Sequence, residues 1–171
     1  MLILLIVNAS LNGFIISLFI RISGLHSNKA LRLILYLTVS NFVFAISELP
    51  YVMYIITNWN SRILNYNPLY TIMLSAPLSA QLKISAVLTI SIALGRNVAL
   101  IYPVFYLKLD QMTYANITSI TALALAILDV TLSLLLSTFD PHPGCGSTGC
   151  FVGIQFQYYW GISNTVCLAF R

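Results

Sequence analysis

Three ionisable side chains, Glu48, Lys83 and Asp129, sit inside runs that are otherwise apolar. A charge in such a run is costly to desolvate and usually faces the interior of a helix bundle, where it is paired or solvated. Two kinds of chemistry are open to this trio. It can hold helices together through an ion pair, or it can line a cavity that receives a ligand. Lys83 with Asp129 is the expected pair, because consecutive segments tend to be neighbours. Glu48, two residues before Pro50, is the competing partner.

Cys145 and Cys150 form the second candidate group, in a stretch with Gly144, Gly146 and Gly149. Glycine supplies the backbone angles that a small disulfide ring needs. Free thiols are the bland alternative. A metal site with His142 would have only two cysteines and one histidine, an incomplete set. No metal and no cofactor is therefore expected, and the disulfide is carried forward. Neither His26 nor His142 has a nucleophile–base partner set, and no phosphate-binding glycine loop occurs. The chain does not read as an enzyme.

The elements that must carry these residues are membrane helices. Of the 171 residues 59% are hydrophobic and 7% charged, against about 25% charged in a soluble domain. Most of the exterior must face lipid. The net charge of +4 is dispersed, and no basic–aromatic cluster points to nucleic acid. Apolar segments are read at about residues 2–22, 31–57, 69–102, 115–138 and 156–171. The first four each exceed the roughly 20 residues needed to cross the hydrocarbon. Helices satisfy their backbone groups internally, whereas the alternation of membrane strands is missing. The start lacks the basic region and short apolar core of a cleaved signal, so it reads as the first span.

Arg21, Lys29, Arg32, Arg96 and Lys108 lie in or beside the first and third connections, and Arg62 in the second. The positive-inside rule then places the N-terminus outside and the cysteine loop outside, where a disulfide is permitted. At about 1.5 Å per residue, Glu48, Lys83 and Asp129 each come roughly 20–26 Å above the cytoplasmic ends of their helices. They converge on one depth. Ser75, Ser79 and Lys83 share a stripe of the third segment, and Pro77 is expected to kink it. That stripe marks the third segment as a central, packed helix. The sequons at Asn8 and Asn116 fall where neither is accessible in this topology.

One stretch has a recognisable pattern. "GRNVALIYPVFY" resembles the end of the third helix and second cytoplasmic loop of rhodopsin-like G-protein-coupled receptors, with Arg96, Pro103 and Tyr106 at the matching offsets. Gly95 and Asn97 depart from the acidic and aromatic positions. Asn12 resembles the helix-one asparagine, and "LTVSNFVFAISELP" resembles the second helix, with Asn41 near the usual aspartate. "QLKISAVLTISIALGRNVALIYPVFY" followed by "PGCGSTGCFVGIQFQYYWGISN" is similar to the nematode serpentine chemoreceptors of class BC (Srbc). The resemblance runs across most of the chain.

The resemblance implies an all-α membrane protein, here a truncated seven-transmembrane receptor bundle with four complete helices and the start of a fifth. It implies a plasma-membrane receptor of sensory neurons that binds small environmental molecules and activates a heterotrimeric G protein. Arg96, Pro103 and Tyr106 would then belong to the coupling face, and Glu48, Lys83 and Asp129 to the ligand cavity. The helix-three cysteine that rhodopsin-like receptors use is missing near Thr71. Two other classes of function are open. One is a transporter or channel subunit using the three buried charges, disfavoured by the lack of inverted repeats. The other is a membrane interaction protein that forms homo- or hetero-oligomers with full-length relatives.

Overall fold

The computed structural model describes residues 2–22, 24, 31–59, 66–137 and 148–169. Its helices are α1 (Leu2–Arg21), α2 (Arg32–Ser47), α3 (Leu49–Thr57), α4 (Pro68–Ile101), α5 (Pro103–Lys108), α6 (Gln111–Leu135) and α7 (Ile154–Ala169). A single 3₁₀ turn, Thr148–Cys150, precedes α7. No strand occurs among the described residues. Four stretches are long and apolar enough to cross a membrane: α1, α2 with α3, α4 and α6. The protein is an all-α membrane bundle.

Local chemistry sets the ends of these helices. Asn67 caps α4 by accepting from the Leu69 N–H at 3.1 Å, and Pro68 occupies the first turn, where its missing N–H has no partner to lose. Pro103 ends α4 by restricting Tyr102, whose backbone leaves the helical region at φ −128° and ψ 66°. Asp110 then starts α6, accepting from the Met112 N–H at 3.2 Å and the Thr113 hydroxyl at 2.7 Å. This cap opens α6 at Gln111, four residues before hydropathy alone would begin the segment. Pro50 has a comparable effect on the second segment. It cannot donate to the preceding turn, so the helix breaks at Glu48 and resumes at Leu49.

α4 is the axis of the bundle and packs against α2, α6 and α7, while α1 packs on α2. Its 34 residues give a length of about 50 Å, well beyond the roughly 30 Å of hydrocarbon. α6 meets it through a stripe of small side chains, Ala115, Thr118, Ala122 and Ala126, which leads to Asp129. Small residues at three- and four-residue intervals let two backbones approach closely, and in lipid this packing replaces the hydrophobic drive between helices. The opposite face of α6 presents Ile117, Ile120, Leu123 and Ile127 outward. α1 buries only Leu5 and Phe19, so most of its surface is suited to lipid.

The apolar core of the described residues has three clusters, one of them Leu5, Tyr51 and Val52 where α1 meets α3. Leu33, Ile84, Leu88, Ala115, Ala122 and Ala126 fill the half toward Arg96. Tyr66, Ile72 and Phe151 close the half toward Cys150, with Tyr54 packed on Tyr66 at a ring separation of 6.0 Å. Where α6 and α7 approach, Gly153 lies against the end of α6. A Cβ there would sit 2.0 Å from the Leu136 carbonyl oxygen. Gly161 of α7 has open space at the same position.

These two glycines should therefore behave oppositely. Gly153→Ala is expected to cost about 1–3 kcal/mol by forcing the α6 end and α7 apart. Gly161→Ala is expected to be neutral or to stabilise by up to about 1 kcal/mol, since alanine favours helix. Melting temperatures of the two variants in nanodiscs, against the parent chain, check this.

Candidate ligand cavity and buried ion pair

Lys83 lies near the middle of α4, and Asp129 lies three residues beyond the Ala126 contact on α6. Lys83 Nζ sits 3.2 Å from Asp129 Oδ2, with the side chains 3% and 1% exposed. Of the two partners open to Lys83, the structure uses Asp129. Glu48 forms no ion pair among the described residues, and its buried Oε1 has no hydrogen-bond partner among them. The break before Pro50 places it at the junction of α2 and α3, apart from the pair.

α7 completes the network. Lys83 Nζ donates to Ser163 Oγ at 2.6 Å and to Asn164 Oδ1 at 3.4 Å. The Tyr159 hydroxyl donates to Asp129 Oδ1 at 2.8 Å. Each charge thus has its opposite plus neutral groups around it, the condition under which a buried pair is tolerated. These α7 partners were not foreseen from the sequence. The available signal was the one-turn interval between Tyr159 and Ser163 in an apolar run, which puts both on one face of a helix.

Directly beside this network, toward Cys150, is a cavity of about 360 Å³ between α4, the 3₁₀ turn and α7. Ser75 and Ser79 line it from α4, Ser133 from α6, and Phe156, Gln157 and Trp160 from α7. Ser75 and Ser79 donate their hydroxyl protons back to the Ile72 and Ala76 carbonyls, at 3.0 and 2.9 Å. Pro77 lies between them and interrupts the ladder of α4. The Gln157 side-chain amide donates to the Gly149 carbonyl at 2.6 Å and the Val152 carbonyl at 3.1 Å. That fixes the turn over the cavity. Trp160 Nε1 is buried with no acceptor among the described residues. Lys83, Asp129 and Glu48 do not line the cavity.

Cys150 is disulfide-bonded. Cys145, its expected partner, lies outside the described residues.

The opposite end of α4 carries the second group of candidates. Arg96 is exposed and has no ion pair or hydrogen bond among the described residues. It shares a depression of about 190 Å³ with Gly95, Tyr106, Leu109, Gln111 and Tyr114. The Tyr114 hydroxyl donates to the Ser91 carbonyl at 2.9 Å and ties α6 to the last turns of α4. The sharp turn at Tyr102 folds α5 back, which brings Tyr106 to Arg96. Pro103 sits outside this depression, on an exposed surface with Tyr102 and Lys108. Two of the three motif residues are thus brought together, and the third acts on the backbone.

A bundle of membrane-length helices with a buried ion pair and an adjoining cavity defines a polytopic integral membrane protein. Over residues 1–171 the chain matches the family described as "Serpentine type 7TM GPCR chemoreceptor Srbc", and it belongs to that family. No curated protein and no solved structure matches it.

Removing one member of the buried pair leaves the other charge uncompensated. Lys83→Met or Asp129→Leu alone should each cost about 3–5 kcal/mol. The double variant should recover most of that loss, because two apolar side chains of similar volume replace a matched pair. Thermal unfolding of the two single variants and the double variant in nanodiscs measures the difference.

Proposed function

We propose that this chain is a chemosensory receptor that binds a small environmental molecule in the cavity beside Trp160 and couples to a heterotrimeric G protein through the Arg96 end. The observation that carries this reading is membership of the serpentine chemoreceptor family over the whole chain. The cavity supports it with a partly open volume of about 360 Å³ between α4 and α7, within the range of about 300–1,000 Å³ common for small-molecule sites. Arg96 supports the coupling role because its guanidinium is exposed and uncommitted among the described residues.

In this reading the basic connections favour the Arg96 end in the cytoplasm and the N-terminus outside, and membership of the chemoreceptor family implies the plasma membrane of sensory neurons. Cys145 and Cys150 close a ring in the outer loop. The Lys83–Asp129 pair, outside the cavity lining, ties α7 to the two helices that run down to Arg96 and Tyr114. Ligand in the cavity favours one arrangement of α7 against α4, and the shift in population is read at the cytoplasmic end. Lipid and the G protein are the partners.

Gly95 gives Arg96 its freedom. Rhodopsin-like receptors carry an acidic residue at that place, as an ion-pair latch. A Cβ at Gly95 would meet nothing nearer than Tyr114 Cε1 at 3.9 Å, an ordinary contact, so the position accepts a side chain. Arg96→Ala is expected to abolish odorant-evoked G-protein activation while ligand affinity changes by less than about threefold. Gly95→Asp is expected to lower ligand-independent activation. Nucleotide exchange on a heterotrimeric G protein in membranes of cells expressing the chain measures both. Full activation by Arg96→Ala contradicts the coupling role.

A further inference from the structure

Apolar side chains continue around the turn at Tyr102. Leu94 and Ile101 lie two turns apart on one face of α4, and both are exposed. Leu100 beside them is 82% exposed. Past the turn, Val104 and Leu107 lie three residues apart on α5 and are also exposed, so they share its outward face. Ile101 and Val104 line one open depression, which joins the two sets into one surface. Tyr106 lies on the other side of α5, in the depression with Arg96.

A cation borders that surface. Lys108 is one turn after Val104 and lines the same depression, together with Tyr102. It is exposed and has no ion pair among the described residues. The carboxylate nearest in sequence, Asp110, is used to cap α6. Arg21, Arg32 and Arg96 lie at the same end of the bundle, and none of them has an ion pair among the described residues. Ile101 is five residues past Arg96, which is about 7 Å along the helix. With Arg96 at the edge of the hydrocarbon, that distance puts Ile101 and α5 in the headgroup layer, about 5–8 Å thick on each side. Apolar groups backed by a lysine and a tyrosine at this depth form an interfacial element. The lysine stem lies along apolar surface while its ammonium stays among the phosphates.

We propose that α5 and the last turns of α4 form a docking site for one anionic phospholipid of the leaflet at the Arg96 end. Lys108 takes the anionic headgroup, and Leu100, Ile101, Val104 and Leu107 lie against the acyl chains. A zwitterionic lipid fills the apolar part equally and gains less from Lys108. The site depends on the membrane fold alone and stands whether or not the chain signals.

Native mass spectrometry of the purified chain in detergent micelles reads lipid retention. The probes are dioleoylphosphatidylserine, dioleoylphosphatidylcholine and glycerophosphoserine, the last being the anionic headgroup without chains. The serine lipid should bind at least about fivefold more tightly than the choline lipid, the gain expected of one cation at an anionic headgroup. Glycerophosphoserine should not bind measurably. Lys108→Ala should remove about fivefold of that preference, and Lys108→Arg, with every apolar contact intact, should keep it. Arg21→Ala, at the end of α1, should leave the preference unchanged. Val104→Ser combined with Leu107→Ser should weaken both lipids alike. Equal binding of the two lipids, or an unchanged preference in Lys108→Ala, overturns the site. Equal losses in Arg21→Ala and Lys108→Ala also overturn it, since they leave only a diffuse basic rim. Glycerophosphoserine binding as tightly as the serine lipid would reject a lipid site in favour of a phosphate site. If the two serine substitutions abolish binding of a purified heterotrimeric G protein and leave both lipids unchanged, the face belongs to a protein partner and the lipid site is rejected.

Discussion

The Lys83–Asp129 ion pair is the constraint around which the bundle is arranged. In a low-dielectric interior neither charge is tolerable alone, so α4 and α6 must meet at this depth and no other. The small residues of α6 follow from that requirement. Ala115, Ala122 and Ala126 hold the helices close enough for a 3.2 Å contact. α7 is held in turn by its bonds to both charges. Three helices are thus fixed by one polar centre, while α1, outside it, buries little and faces lipid.

The same centre explains why a neutral cavity can exist beside a buried lysine and aspartate. A pair that satisfies itself does not need to be hydrated, so the space next to it can be lined with serine hydroxyls and apolar groups. Those hydroxyls in turn bond to carbonyls within α4, near Pro77, where the helix cannot complete its own ladder. Trp160 belongs to the turn of α7 that also carries Tyr159. Movement of that turn therefore bears on the cavity and on the ion pair together.

Much of the architecture was legible in the sequence, because lipid imposes a simple rule on length and polarity. The all-α membrane fold and the serpentine receptor class both follow from apolar run lengths and from motifs such as the Arg96–Tyr106 stretch. Features that depend on local capping were less visible. Asp110 extends α6 toward its start, and Pro50 divides the second span at Glu48. Hydropathy averages over both. Features that depend on register between distant helices were not visible at all. Nothing local to Tyr159, Ser163 or Asn164 says that they meet charges 30 or more residues away. Chain order favours Asp129 over Glu48 as the partner of Lys83, since consecutive helices tend to be neighbours, and the ion pair is with Asp129.

We propose that a small molecule binds in the cavity between α4 and α7. Photoaffinity labelling tests it most directly, with a diazirine analogue of methyl heptyl ketone in intact membranes and the modified residues mapped by mass spectrometry. Competable label is expected on residues 75–82 of α4 and 156–160 of α7. Label confined to the outward faces of α1 and α6, unaffected by excess ketone, would contradict it.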